Sequence, residues 1–186
     1  TLNVTGGSVT NSYGYLGYTV GSTGTATVSN GTWANAVFLY VGTAGRGVLN
    51  VNGGSVTSAS GYVAYYAGST GTATVSSGTW ANSGDLSIGD AGTGALNVNG
   101  GSVTNAIGYL GYDTGSVGTA TVSSGTWASS IDLFIGWGGT GTLNVTGGGV
   151  SNSRDAFLGM YAGSRGTATV SSGTWAYSRN LYVGNA

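Results

Sequence analysis

The chain is predicted to be all-β, a right-handed parallel β-helix (β-solenoid) of about eight coils built as four 47-residue double-coil repeats. Three observations predict it. The sequence repeats itself at a spacing of 47 residues. Its apolar residues alternate over runs of three to five residues, with no helical period anywhere. Glycine, at 39 of 186 positions, punctuates those runs.

The repeat is the frame for the rest. Leu-Asn-Val recurs from Leu2, Leu49, Leu96 and Leu143, and Gly-Thr-Ala-Thr-Val-Ser recurs from Gly24, Gly71, Gly118 and Gly166. Trp33, Trp80, Trp127 and Trp175 keep the same beat, with one inserted residue between Val150 and Leu158. Each unit splits into two similar halves, so the chain holds eight units of 23 to 25 residues. About 23 residues with three short strands make one solenoid coil, whereas a propeller blade needs some 40 residues and four strands. At about 4.8 Å per rung, eight coils give a rod of roughly 38 Å. Composition is uniform along the chain, so residues 1–186 form a single repeat domain. Right-handedness follows the general rule for parallel crossovers.

The elements follow in order along each coil. The first strand turns Leu2 and Val4 inward in odd coils, and Ala26 and Val28 in even ones. The second strand contributes Val9 or Trp33, and the third Gly14 and Leu16 or Leu39 and Val41. Large and small residues thus alternate along the rod at each core position, which lets successive layers interdigitate. The Trp row is therefore expected in the core. Gly-Gly and Ser-Gly clusters supply the corners, where backbone with positive φ is needed.

Facing outward, the first strand carries Thr1/Asn3, Thr25/Thr27, Val48/Asn50 and their copies. A flat Thr-x-Thr array would suit ice, but Thr pairs occupy only alternate coils, and rung-to-rung packing explains them as well. More distinctive is the residue preceding the last inward position of the third strand. That outward row reads Tyr15, Tyr40, Tyr62, Ser87, Tyr109, Phe134, Phe157 and Tyr182. Seven of its eight members are aromatic. As a surface stripe it suits sugar stacking or bundling of rods; as a self-stacked ladder it stiffens the face.

Composition excludes many activities. Without Cys or His there is no thiolate, zinc finger, haem ligation or His-based triad. Four Arg and no Lys leave no electrostatic footprint for nucleic acid or anionic lipid. No run approaches 18 apolar residues, so this segment inserts in no membrane as a helix. Asp85 and Asp132 fall at equivalent positions two coils apart, near the spacing of paired carboxylates in an inverting glycosidase. Phe38 and Asn180 fill that position in the other repeats, and Asp90, Asp113 and Asp155 share no position, so no acidic cluster is expected. The expectation is a non-enzymatic protein with no catalytic residue, cofactor or metal.

The recurring Gly-Thr-Leu-Asn-Val…Gly-Gly-Ser-Val and Gly-Thr-Ala-Thr-Val-Ser-x-Gly-Thr-Trp…Leu-x-Val/Ile-Gly resembles the repeat of bacterial type V secretion (autotransporter) passengers and PEP-CTERM-associated surface proteins. The likeness covers the whole chain and rests on Gly24 to Trp33, Leu39 to Gly42 and their copies. It implies a secreted β-helix on the bacterial outer surface or in the extracellular space, acting as a stalk, fibre or adhesin. It brings no catalytic residues with it. Expected partners are glycans or host and cell surfaces, and further copies of the rod, end to end or side by side. The chain closes on Val183-Gly-Asn-Ala186 and opens on Thr1-Leu-Asn-Val, phases that predict a segment of a longer array or a self-stacking filament protomer.

Overall fold

The computed structural model describes residues 1–184, and these contain strands, turns and bends but no helix. Asn185 and Ala186, which set the phase of the end-to-end reading, lie outside the described residues. Every strand pairing is parallel and joins consecutive coils, which is the β-solenoid predicted from the repeat. One face is a sheet of eight strands: Leu2–Val4, Thr23–Val28, Arg46–Val51, Thr70–Val75, Thr93–Val98, Val117–Val122, Thr140–Val145 and Arg165–Val170.

The second and third faces together form a sheet of 14 strands. In the first two coils each pair of faces is one bent strand, Ser8–Leu16 and Thr32–Val41, whose register shifts between Asn11 and Tyr13. From the third coil onward the strand breaks at the corner, as in Ser55–Ser58 and Ser60–Val63, or Thr79–Asn82 and Leu86–Ile88. The extra residue of coil seven lies in this corner, between Gly149–Asn152 and Ala156–Leu158. It gives coil seven the longer corner that the even coils carry.

Core register explains why the period is two coils. On the first face Leu2, Ala26, Leu49, Ala73, Leu96, Ala120, Leu143 and Ala168 stand in one line. On the second face Val9, Trp33, Val56, Trp80, Val103, Trp127, Val150 and Trp175 do the same. On the third, Gly14, Gly61 and Gly108 alternate with Leu39, Leu86 and Leu133. The glycines leave room for the indoles. A Cβ at Gly61 would stand 2.8 Å from Trp80 Cζ2, and one at Gly108 would stand 3.0 Å from Trp127 Cζ2. In these coils the ring of one coil fills the space left by the missing side chain of the coil beneath it. Trp80 and Trp127 are fully buried, as expected of a core row.

Beside the indoles runs a buried polar line that periodicity did not single out. It comprises the buried Asn35, Ser58, Asn82, Asn105, Ser129 and Asn152, with the half-buried Asn11 at its end. Trp33 Nε1 donates to Asn11 Oδ1 at 2.7 Å, Trp127 Nε1 to Asn105 Oδ1 at 2.7 Å, and Trp175 Nε1 to Asn152 Oδ1 at 3.2 Å. The amides continue upward, Asn11 Nδ2 donating to Asn35 Oδ1 and Asn105 Nδ2 to Ser129 Oγ. Burying an indole N–H without an acceptor is costly, and the Asn of the preceding coil supplies that acceptor. Trp80 is the exception. Its neighbour is Ser58, which donates instead to Asn82 Oδ1 at 2.6 Å, and Trp80 Nε1 is left without a partner.

Candidate functional site

The third strand alternates inward and outward residues, so the register that buries Leu39 and Val41 turns Tyr40 out. Pairing then carries Tyr15, Tyr40, Tyr62, Ser87, Tyr109, Phe134, Phe157 and Tyr182 into one line along the rod. The rings stack face to face. Tyr15 and Tyr40 lie 5.1 Å apart, Tyr40 and Tyr62 5.2 Å, and Tyr109 and Phe134 5.3 Å. Phe134 and Phe157 follow at 4.7 Å, and Phe157 and Tyr182 at 4.8 Å.

A second aromatic row flanks the first at the next corner. Backbone bonds such as Tyr65 N–H to Gly42 C=O, Tyr112 N–H to Gly89 C=O and Trp137 N–H to Gly111 C=O align the corner residues from coil to coil. Its members are Tyr18, Thr43, Tyr65, Asp90, Tyr112, Trp137 and Met160. These rings meet the ladder edge-on: Tyr40–Tyr65 at 4.9 Å, Tyr109–Tyr112 at 5.0 Å and Phe134–Trp137 at 4.6 Å. The sequence carries a signal for this row, an aromatic three residues after a ladder aromatic, as in Tyr15/Tyr18, Tyr62/Tyr65 and Phe134/Trp137. What looked like a stripe is a two-row aromatic face.

Stacking decides what that face can offer. Within an unbroken ladder each ring spends both faces on its neighbours and shows solvent only an edge and, in tyrosine, a hydroxyl. Tyr40, Tyr62, Tyr109 and Phe157 are accordingly half-buried and Phe134 is buried, while Tyr15 and Tyr182, at the two ends of the row, are exposed. Desolvation is the main cause that raises the phenol pKa of Tyr40, Tyr62 and Tyr65, with neighbouring phenols or carboxylates adding to it. Tyr109 is pushed up to about 12, first by burial and then by the charge of Asp85.

Two gaps lie where the rows are interrupted. At coil four both rows lose their ring together, to Ser87 and Asp90. A cavity of about 250 Å³ results, walled by Tyr62 and Tyr65 on one side and by Tyr109 and Tyr112 on the other. Asp85, Ser87 and Asp90 complete it. At coil two only the corner row is interrupted, by Thr43. There a cavity of about 470 Å³ lies among Tyr15, Tyr18, Val20, Tyr40, Tyr65 and Tyr66, with no charged residue in its lining. Each gap holds a buried hydroxyl without a hydrogen-bond partner, Ser87 Oγ at coil four and Thr43 Oγ1 at coil two.

The carboxylates of the coil-four gap feel their burial. Desolvation raises Asp90 to about 6; the nearby Ser87 hydroxyl tempers the rise without forming a bond of good geometry, and Asp113 adds to it. Asp85 is raised by desolvation, against a backbone hydrogen bond from Ile107 that lowers it.

The remaining acids form a different pattern from the one expected. Asp155 shares the row of Asp132, because the longer corner of coil seven moves it into line. Asp132 Oδ1 accepts from Asp155 N–H at 2.9 Å, and Asp155 Oδ1 accepts from Asn180 N–H at 3.0 Å. These two carboxylates bind backbone of the following coil and so belong to the scaffold. Ile107 separates Asp85 from Asp132 in that row, so these two acids do not meet. Among the described residues, no group of three His, Cys, Asp or Glu side chains could hold a metal ion. The outward Thr and Asn of the first face are half-buried along most of the rod by their neighbours above and below.

No protein-family model, curated protein or solved structure matches the chain.

Proposed function

We propose that this protein is a structural, non-catalytic rod of the bacterial surface or extracellular space, a stalk, fibre or filament subunit that adheres through its aromatic face. The observation that carries this reading is the combination of a rigid, almost uncharged stack of eight coils with a two-row aromatic face along one side. A solenoid of this kind sets a length and presents a surface. The resemblance of its repeats to those of autotransporter passengers and PEP-CTERM-associated proteins supports secretion and surface display. Rods are expected to associate end to end or laterally through the exposed aromatic edges.

Electron microscopy of the purified protein tests the structural reading. Filaments or bundles that disperse in the Tyr15→Ser, Tyr182→Ser double variant are expected. Monodisperse single rods that also fail to coat any cell or glycan surface would overturn it. A glycan-binding rod is the second reading, favoured by the coil-two gap, where tyrosine side chains and the Thr43 hydroxyl line a cavity without charge. A glycan array comparing the unsubstituted protein with Tyr18→Ser checks it, and signal that survives the substitution counts against that gap.

A further inference from the structure

We infer that the gap at coil four is a binding site for a flat organic cation of the guanidinium or amidinium class, inserted between the Tyr62 and Tyr109 rings with its charge against Asp85 and Asp90. The inference concerns this gap alone and does not rest on the adhesive reading.

Four observations converge. First, the stack is broken only here. Tyr62 has Tyr40 on one face and Tyr109 has Phe134 on one face, and the opposite face of each looks into the gap. Two rungs separate these faces, about 9.6 Å, which leaves room for one flat group at the spacing the rest of the ladder uses. Second, aromatic faces and carboxylates present charge of the same sign. A ring face attracts a cation through its quadrupole, and an ionised carboxylate does so directly. A neutral sugar would use the rings and leave the charges unanswered; an anion would be repelled by both. Third, no basic side chain lines the cavity, so nothing in the protein neutralises the two acids there. Fourth, Ser87 is 3% exposed, and its hydroxyl lines the cavity beside Asp90 without a hydrogen bond of good geometry. An N–H of the incoming group would satisfy it.

The coil-two gap serves as an internal control. It too is lined by tyrosines and a buried unpartnered hydroxyl, but by no carboxylate. Only the coil-four gap should discriminate by charge.

The pH dependence follows from what faces Asp90. Tyr62 and Tyr65 from coil three, Asp85 on its own coil, and Tyr109, Tyr112 and Asp113 from coil five surround it, all neutral or acidic. Burial raises Asp90 to about 6, so its carboxylate is ionised above that pH and protonated below it. Cation binding therefore strengthens as the pH rises through about 6 and weakens as it falls through that range.

The test is a proton NMR titration of the whole chain with benzamidinium chloride, with neutral benzamide and methyl glucoside as parallel arms, at constant ionic strength. Saturable binding of benzamidinium is expected, with its ring protons shifted upfield by the flanking tyrosines. Benzamide should bind at least tenfold more weakly. The Asp85→Asn, Asp90→Asn double variant should lose at least tenfold in benzamidinium affinity while its benzamide affinity holds. Ser87→Phe, which fills the gap with the missing ring, should abolish binding of both and keep the unsubstituted melting profile. Equal affinity for benzamidinium and benzamide would overturn the inference, as would undiminished binding in Ser87→Phe. Saturation by methyl glucoside but not by benzamidinium would replace it with a sugar site.

Discussion

The second and third 47-residue repeats, residues 47–93 and 94–140, are built on the same register and differ in telling places. In the third, Trp127 has its Asn105 acceptor, the corner residue is Gly111, and ring stacks on ring from Tyr109 to Phe134 and from Tyr112 to Trp137. In the second, Trp80 has no acceptor, and the matching corner residue is Ala64 at φ 61°. Both aromatic positions of its even coil are polar. Ala64 is the one non-glycine residue with positive φ among the described residues. Three departures from the best version of the repeat thus fall within the two coils that border and form the coil-four gap. Unfavourable local choices concentrated in one place are characteristic of functional regions.

The largest test of this contrast is removal of the indoles. Trp127→Ala is expected to destabilise by about 3–5 kcal/mol, since the Gly108 space beneath it cannot fill the void. Trp80→Ala should cost about 1 kcal/mol less, because it sacrifices no hydrogen bond and orphans no asparagine. Denaturant unfolding of the two variants side by side gives that difference, and a larger loss at Trp80 would contradict it.

Corner geometry comes next. Gly111→Ala should cost about 2 kcal/mol or more, because its φ is 69° and the Thr140 backbone occupies the space a Cβ would need. Ala64→Gly should stay within about 1 kcal/mol of the unsubstituted protein, as relief of the left-handed strain offsets the added freedom of the unfolded chain. Melting temperatures would register both.

Smaller again is repair of the acceptor. Ser58→Asn gives the second repeat the trio seen at Asn11, Trp33 and Asn35, and should stabilise by about 1 kcal/mol. Asn105→Ser should do the reverse in the third repeat. Amide exchange at the two indole N–H groups would show whether protection follows the acceptor.

A further test is one of pH. Asp90 holds its proton more tightly in the folded state than in the unfolded chain, so folding stability should decline as pH rises from about 4 to about 6. Asp90→Asn should flatten that decline. Asp113 and Asp85 remain in the variant, so any slope that persists unchanged would assign the proton elsewhere.

Much of this is legible in the sequence. Leu2/Ala26, Val9/Trp33 and Gly14/Leu39 revealed both the coil and its doubled period, because strand alternation is local and the repeat makes each position comparable with its copies. The buried asparagines were not recognised, since Asn is ordinarily a surface or turn residue and only the indole beside it explains its burial. Asp155 was assigned no partner because the insertion that brings it into line with Asp132 acts through the corner. The alignment of the aromatic row is readable from the repeat, but whether its rings show faces or edges is not.

The sequence by itself determined a nearly uncharged β-solenoid, its strand order along each coil and the alternation that fills its core. All of these depend on spacing within one repeat or identity between repeats. Only the tertiary structure decided that most ring faces are consumed by stacking, and that Ser87 and Asp90 leave a cavity where the stack fails. That outcome depends on side chains some 23 residues apart meeting across rungs, and on a missing ring mattering more than a present one.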